Sequence, residues 1–147
     1  PRRSSDLADN DATFVFTNVV PQTHQSNAGR WSDLEDEARR LVGLGKTVAI
    51  TAGPVFGVTP SAIGSGVPVP LSTFKVLVVC DGSPGAGEVT AATGVIAVNV
   101  PNTLSVSGDW RQFRVTVRAL EQQTGLDFLS DVPRSIQDVV ETRLDSQ

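Results

Sequence analysis

The 147-residue chain has one cysteine, one histidine, no methionine and no tyrosine. These scarcities exclude much. A disulfide needs two cysteines and a zinc centre needs clustered histidine or cysteine, so Cys80 and His24, single and in unlike contexts, build neither. Cys80 closes the apolar run KVLVVC and is expected to be a buried core thiol. A Ser-His-Asp triad would have to recruit His24, but no Gly-x-Ser-x-Gly elbow is present, and the glycines at Gly64 and Gly66 lack its flanks. His24, in a polar loop, is expected to be exposed or to serve a turn. No stretch reaches the roughly 18 apolar residues of a membrane span, so no membrane partner is expected. A net charge of −4 argues against a bulk electrostatic grip on nucleic acid; such binding would need a local basic cleft. The chain starts on Pro1, Arg2 and Arg3, with no signal peptide, and is expected to be the middle of a longer polypeptide.

The richest stretch is QTHQSNAGRWSDLEDEAR, from Gln22 to Arg39. Read as a helix that begins near Ser26 and ends near Leu44, it places Trp31, Leu34, Ala38, Leu41 and Val42 on one core-facing stripe. Glu35 and Arg39 sit one turn apart on a neighbouring face, where they can pair or share a polar cleft. Asn27, two turns before Glu35, is placed to cap the helix or to turn its amide outward to an ion. Gly43 and Gly45 supply the stop.

Around this helix the chain reads as strands and short helices. Ala12–Val20 alternates and is β-branched, and Pro21 ends it; Lys46–Phe56 is apolar enough to be a central strand. Residues Gly57–Pro70, rich in glycine and proline, read as a long surface loop. Ser72–Cys80 is a strand covered on both faces, joined through the glycine-rich turn DGSPGAGEV to a partner strand at Gly94–Pro101. That turn lacks the lysine and following helix of a phosphate loop. Asp109–Val117 reads as one more strand, then a helix stopped by Gly125. Leu126, Phe128 and Leu129 are expected beneath the sheet, and a last amphipathic helix from Ser135 turns Ile136, Val139, Val140 and Leu144 inward. The sum is one α+β domain, 1–147, built on an antiparallel sheet with flanking helices.

For Asn27 and Glu35 two accounts stand: a capped helix with a surface ion pair to Arg39, or a hard-cation site. Magnesium keeps most of its hydration shell and needs few direct protein ligands, so an amide oxygen with a carboxylate holding its waters suffices.

The run TFVFTNVVPQTHQSNAGRWSDLEDEARRLVGLGKTVAITAGPVF, with the later PLSTFKVLVV, VIAVNVPN and LEQQTGLDFLSDV in the same order, resembles the sugar-nonspecific DNA/RNA endonucleases of the ββα-metal (His-Me finger) superfamily. The resemblance implies a Mg²⁺-dependent nuclease, with Mn²⁺ able to substitute, that cuts DNA and RNA without sequence preference and leaves 5′-phosphorylated fragments. By position, Asn27 matches the protein ligand of the metal, Glu35 the acid that orients a metal-bound water, and Arg39 the arginine at the scissile phosphate. Asn18 and Gln22 match polar residues near the cleft, candidates for substrate contact but more readily structural. The family's Asp-Arg-Gly-His motif, which carries the general base, is absent, and His24 lies in the wrong place to replace it. Two readings follow: this is the C-terminal portion of the nuclease fold, completed by a companion N-terminal fragment, or a non-catalytic module that kept the fold. The resemblance also implies a secreted or periplasmic setting and a protein inhibitor as a further partner.

Overall fold

β-Branched and aromatic residues draw four stretches of chain into one antiparallel sheet, in a computed structural model that describes residues 19–81 and 89–145. A π-helical turn, Ser26–Trp31, runs directly into helix α1, Ser32–Gly43. Strand β1, Lys46–Val55, follows, then a two-stranded ribbon of β2, Ala62–Ile63, and β3, Val67–Pro68. Strand β4, Ser72–Asp81, equals β1 at 10 residues, and β5, Gly94–Pro101, has 8. A single 3₁₀ turn at Trp110–Phe113 leads to β6, Arg114–Val115, and helices α2, Val117–Thr124, and α3, Arg134–Val140, close the described chain. The sheet order is β1-β4-β5-β6, every neighbouring pair antiparallel, which is the α+β architecture expected.

β4 organises the core, because its alternating side chains enter two separate apolar layers. Leu77 and Val79, with Ile96, Val98 and Val100 of β5, pack against Leu34, Ala38 and Leu41 of α1. Phe74 and Val76 face the other way, against Val117 and Leu120 of α2, Leu129 and Val140. The ring of Phe74 meets that of Phe128 edge-on at 5.1 Å. Gly53 stands opposite Phe74 in the β1–β4 register, where a Cβ would come 3.0 Å from the Phe74 ring and crowd it.

Several expectations need correction. β1 is an edge strand among the described residues, not a central one; Ile50 at its middle is half exposed. Pro54 within it explains why, since proline cannot donate to a second ladder and is confined to strand edges. The expected loop Gly57–Pro70 contains the β2–β3 ribbon, turned by Gly64 and Gly66, both at positive φ. Most of Asp109–Val117 is helical rather than extended: Asp109 accepts a bond from the Arg111 amide and winds the 3₁₀ turn, leaving β6 two residues. Val42, Leu126, Val139 and Leu144 are exposed, because the helices and the loop carry them past the sheet's cover. Cys80 is half-buried, near the end of β4, rather than a fully enclosed core thiol. The expected strand Ala12–Val20 lies outside the described residues except for Val19 and Val20, which are irregular, and the glycine-rich turn after Asp81 lies outside them too.

Leu34→Ala should lower the unfolding free energy by about 2–5 kcal/mol, whereas Val42→Ala, eight residues later on the nominal stripe, should stay within about 0.5 kcal/mol of wild type in urea titrations.

Candidate active site

Gln22, Thr23 and the residues after them are fixed by a distant asparagine. Asn102, just past β5, accepts the Thr23 amide at 2.8 Å and donates to the carbonyls of Pro21 and Pro70, both at 3.0 Å. The Thr23 hydroxyl donates to the Thr103 carbonyl at 3.0 Å. It also accepts the Ser26 amide at 3.3 Å, so Thr23, not Asn27, caps the helix. The expectation of a capping Asn27 fails because the helical turn begins upstream, the Asn27 amide already bonding to the Thr23 carbonyl at 3.0 Å. Asn27 is thereby freed. Its exposed side chain makes no hydrogen bond among the described residues.

The π-helical turn and α1 carry Asn27, Trp31, Glu35 and Arg39 at four-residue steps along a groove against β1 and β4. One cleft of 670 Å³ is lined by Gln22, Asn27, Trp31, Gly53 and Thr73, and an adjoining one of 650 Å³ by Trp31, Glu35, Arg39, Ile50 and Lys75. Trp31 and Ala52 border both. Gln22 donates to the Thr73 hydroxyl at 3.1 Å, which gives it a structural bond at the cleft floor. Glu35 lies 3.6 Å from Arg39 and 3.3 Å from Lys75. Arg39 makes its shorter contact, 2.6 Å, to Asp36, and with both partners largely exposed that pair contributes little to stability. Asn18 lies outside the described residues. His24 is exposed on the first helical turn, apart from both clefts' linings.

Two residues of this site were not singled out from the sequence. Lys75 belongs to the α1-facing row of β4, which reads Thr73, Lys75, Leu77, Val79; only 5% of its side chain is exposed, and its ammonium lies 4.0 Å from the Trp31 ring centre. Burial holds its pKa below the usual lysine value, with Glu35 opposing that shift. A lone charge in an apolar strand was the available signal. For Asn102 the signal was weaker, since its partners lie 79, 81 and 32 residues away in sequence.

Oxygen donors suit a hard cation, and the unengaged amide of Asn27, exposed in the cleft with Glu35 two turns along the same groove, fits magnesium's modest demand for direct ligands. A denser carboxylate group exists elsewhere: Glu121, Asp127 and Glu141 bring oxygens within 4.8 Å of one another. It lies on the α2–α3 side of the sheet and includes none of the expected residues; Arg118 already pairs with Glu141 at 2.8 Å.

The site is thus a groove between an antiparallel sheet and a helix that bears Asn27, Glu35 and Arg39. The sequence matches the DNA/RNA non-specific endonuclease profile over residues 2–135, and the chain belongs to that family. It is 46% identical over 146 residues to a nuclease of Nostoc sp., an alignment covering 98% of this chain and 53% of the relative. Human mitochondrial endonuclease G is 28% identical over 133 residues, covering 83% and 43%. A crystal structure of EndoG in complex with EndoGI superposes with a TM-score of 0.68 at 27% identity, over 84% of this chain and 53% of that one. The fold is thus that of the ββα-metal nucleases, and the chain spans about half the length of the curated relatives it matches.

Asn102→Ala strips two hydrogen bonds from the segment that starts the helix and a third from Pro70, and should cost about 1–3 kcal/mol in chemical denaturation. A pH effect arises at the acidic group. Burial, reinforced by Glu121, raises the Glu141 pKa above its ordinary value against the pull of Arg118. The folded chain therefore binds the extra proton between the two values, and stability should fall as pH rises across that interval. Melting curves of Glu141→Gln should lack that fall.

Proposed function

We propose that this chain supplies the metal-binding helix, and the C-terminal part of the domain, of a Mg²⁺-dependent endonuclease that hydrolyses phosphodiester bonds in DNA and RNA. The observation that carries the reading is the groove in which Asn27 and Glu35 stand two turns apart, Asn27 without a hydrogen-bond partner among the described residues, with Arg39 one turn beyond. Membership of the non-specific endonuclease family and the nuclease names of its relatives support it. Asn27 would hold the ion through its amide oxygen, and Glu35 would act through a water. Magnesium when bound supplies positive charge to the phosphorane-like transition state and the leaving 3′-oxygen, with Mn²⁺ able to substitute. Arg39, largely exposed at the groove's edge, meets the phosphate. The attacking water needs a general base, which we assign to a histidine on an upstream segment; His24 is apart from the groove. Contacts of this kind read phosphate and metal rather than base edges, so no sequence preference is expected.

A protein inhibitor is a further proposed partner, supported by the solved complex of EndoG with EndoGI. No helix among the described residues is long and apolar enough to cross a membrane. Relatives from yeast and human are named mitochondrial, while a bacterial relative comes from Serratia marcescens. A secreted or periplasmic setting is our proposal for this chain, to be tested by cell fractionation.

Plasmid nicking, with the upstream segment supplied as a companion polypeptide, tests the reading. Cleavage should require Mg²⁺ and stop with EDTA. Glu35→Gln should slow it about 10²- to 10⁴-fold, and Asn27→Ala should raise half-saturating Mg²⁺ at least ~10-fold. Undiminished cleavage by both variants would sink the assignment. With its acidic balance, this chain alone should bind nucleic acid weakly, and more weakly still with added salt; a tight, salt-insensitive complex in a gel-shift assay would contradict that.

A further inference from the structure

Lys75 is a buried cation in the lining of the groove. It lies on strand β4, an interior strand of the sheet, between the buried Phe74 and Val76, and only 5% of its side chain is exposed where it borders the second cleft. Taking a cation out of water is unfavourable, and an apolar side chain of similar length would fill the place at lower cost. What Lys75 gains in exchange is two contacts: the face of Trp31, 4.0 Å from its Nζ, and Glu35 Oε1 at 3.3 Å. The geometry on the Glu35 side is asymmetric. Arg39, the other cation within reach of Glu35, is 68% exposed, stands 3.6 Å away, and is engaged at 2.6 Å by Asp36. An exposed, shared guanidinium does not hold a carboxylate in one orientation; a buried ammonium fixed by an indole ring and by strand β4 does.

We infer that Lys75 is a positioning residue, which with Trp31 fixes the Glu35 carboxylate in the groove and leaves Arg39 free to turn to a phosphate. The inference rests on the function proposed above for Glu35 and adds to it a chain of contacts from indole through a buried ammonium to a half-exposed carboxylate. Trp31 then has a role beyond packing, because its ring face presents negative charge density to the ammonium. Strand β4 carries the site's orientation through Lys75 in the same way that it carries the core through Leu77.

Two measurements on Lys75→Met and Lys75→Arg test this. The first needs no turnover: side-chain three-bond couplings of Glu35, measured by NMR on the full chain. They should report one χ1 rotamer in wild type, averaging in Lys75→Met, and a single rotamer again in Lys75→Arg. Lys75→Met should fold and melt no lower than wild type, because it removes a buried charge and leaves Glu35 in contact with water. Averaged couplings already in wild type, or one unchanged rotamer in Lys75→Met, would overturn the inference. The second is kinetic, in the completed nuclease. Lys75→Met should lower kcat by about 10²-fold with KM within about twofold, as expected when a reacting group is misplaced without loss of binding. Lys75→Arg should recover part of the rate, and Lys75→Met with Glu35→Gln should be no slower than Glu35→Gln alone. If Glu35→Gln slows cleavage and Lys75→Met does not, the positioning role falls and the nuclease assignment stands. If neither slows it, the assignment of Glu35 falls, and the couplings still decide whether Lys75 orients it.

Discussion

The burial of β4 on both faces is the constraint from which the rest of the molecule follows. Phe74 and Val76 belong to one apolar layer, Leu77 and Val79 to the other, so a slip of one residue would drive Lys75 into the α2–α3 layer and lift the aromatic ring under α1. Register is thereby locked, and with it the point along the strand at which the α1-facing row changes from Leu77 to Lys75 and Thr73. The groove forms where the apolar row ends. The same residues that make the sheet uniquely paired decide where polar chemistry can stand.

The helix shows how a small irregularity serves that end. Side chains at four-residue steps drift around an α-helix of about 3.6 residues per turn. A wider turn over Ser26–Trp31 takes up part of the drift, keeping Asn27 in line with Trp31, Glu35 and Arg39. Such wide turns often mark functional positions in helices. Thr23 takes over the capping work that Asn27 would otherwise do.

Much of this was legible in the sequence, and the failures share a cause. Periodicity located α1, β4, β5 and the helix ended by Gly125, and the Glu35–Arg39 spacing followed from helix geometry alone. A periodic pattern says which face is apolar, not how far its partner extends, which is why Val42, Leu126 and Leu144 were misplaced indoors. β1, apolar enough to read as central, is an edge strand among the described residues, in keeping with Pro54 near its end. Lys75 was visible as a charge among apolar neighbours, but only the three-dimensional meeting with Trp31 and Glu35 gives it meaning. The Asn102 bonds are invisible to any local reading, because their partners are remote in the chain.

That remoteness bears on the order in which the molecule matures. The contacts of Asn102 and Thr103 with Pro21 and Thr23 close a loop of about eighty residues, the kind of closure whose entropy is met late in folding. The helix alone, or the helix with β1, has no groove floor until β4 and β5 have docked and the Asn102 clamp has shut. A chain emerging stepwise during synthesis therefore carries the residues of the groove before it has the groove's shape.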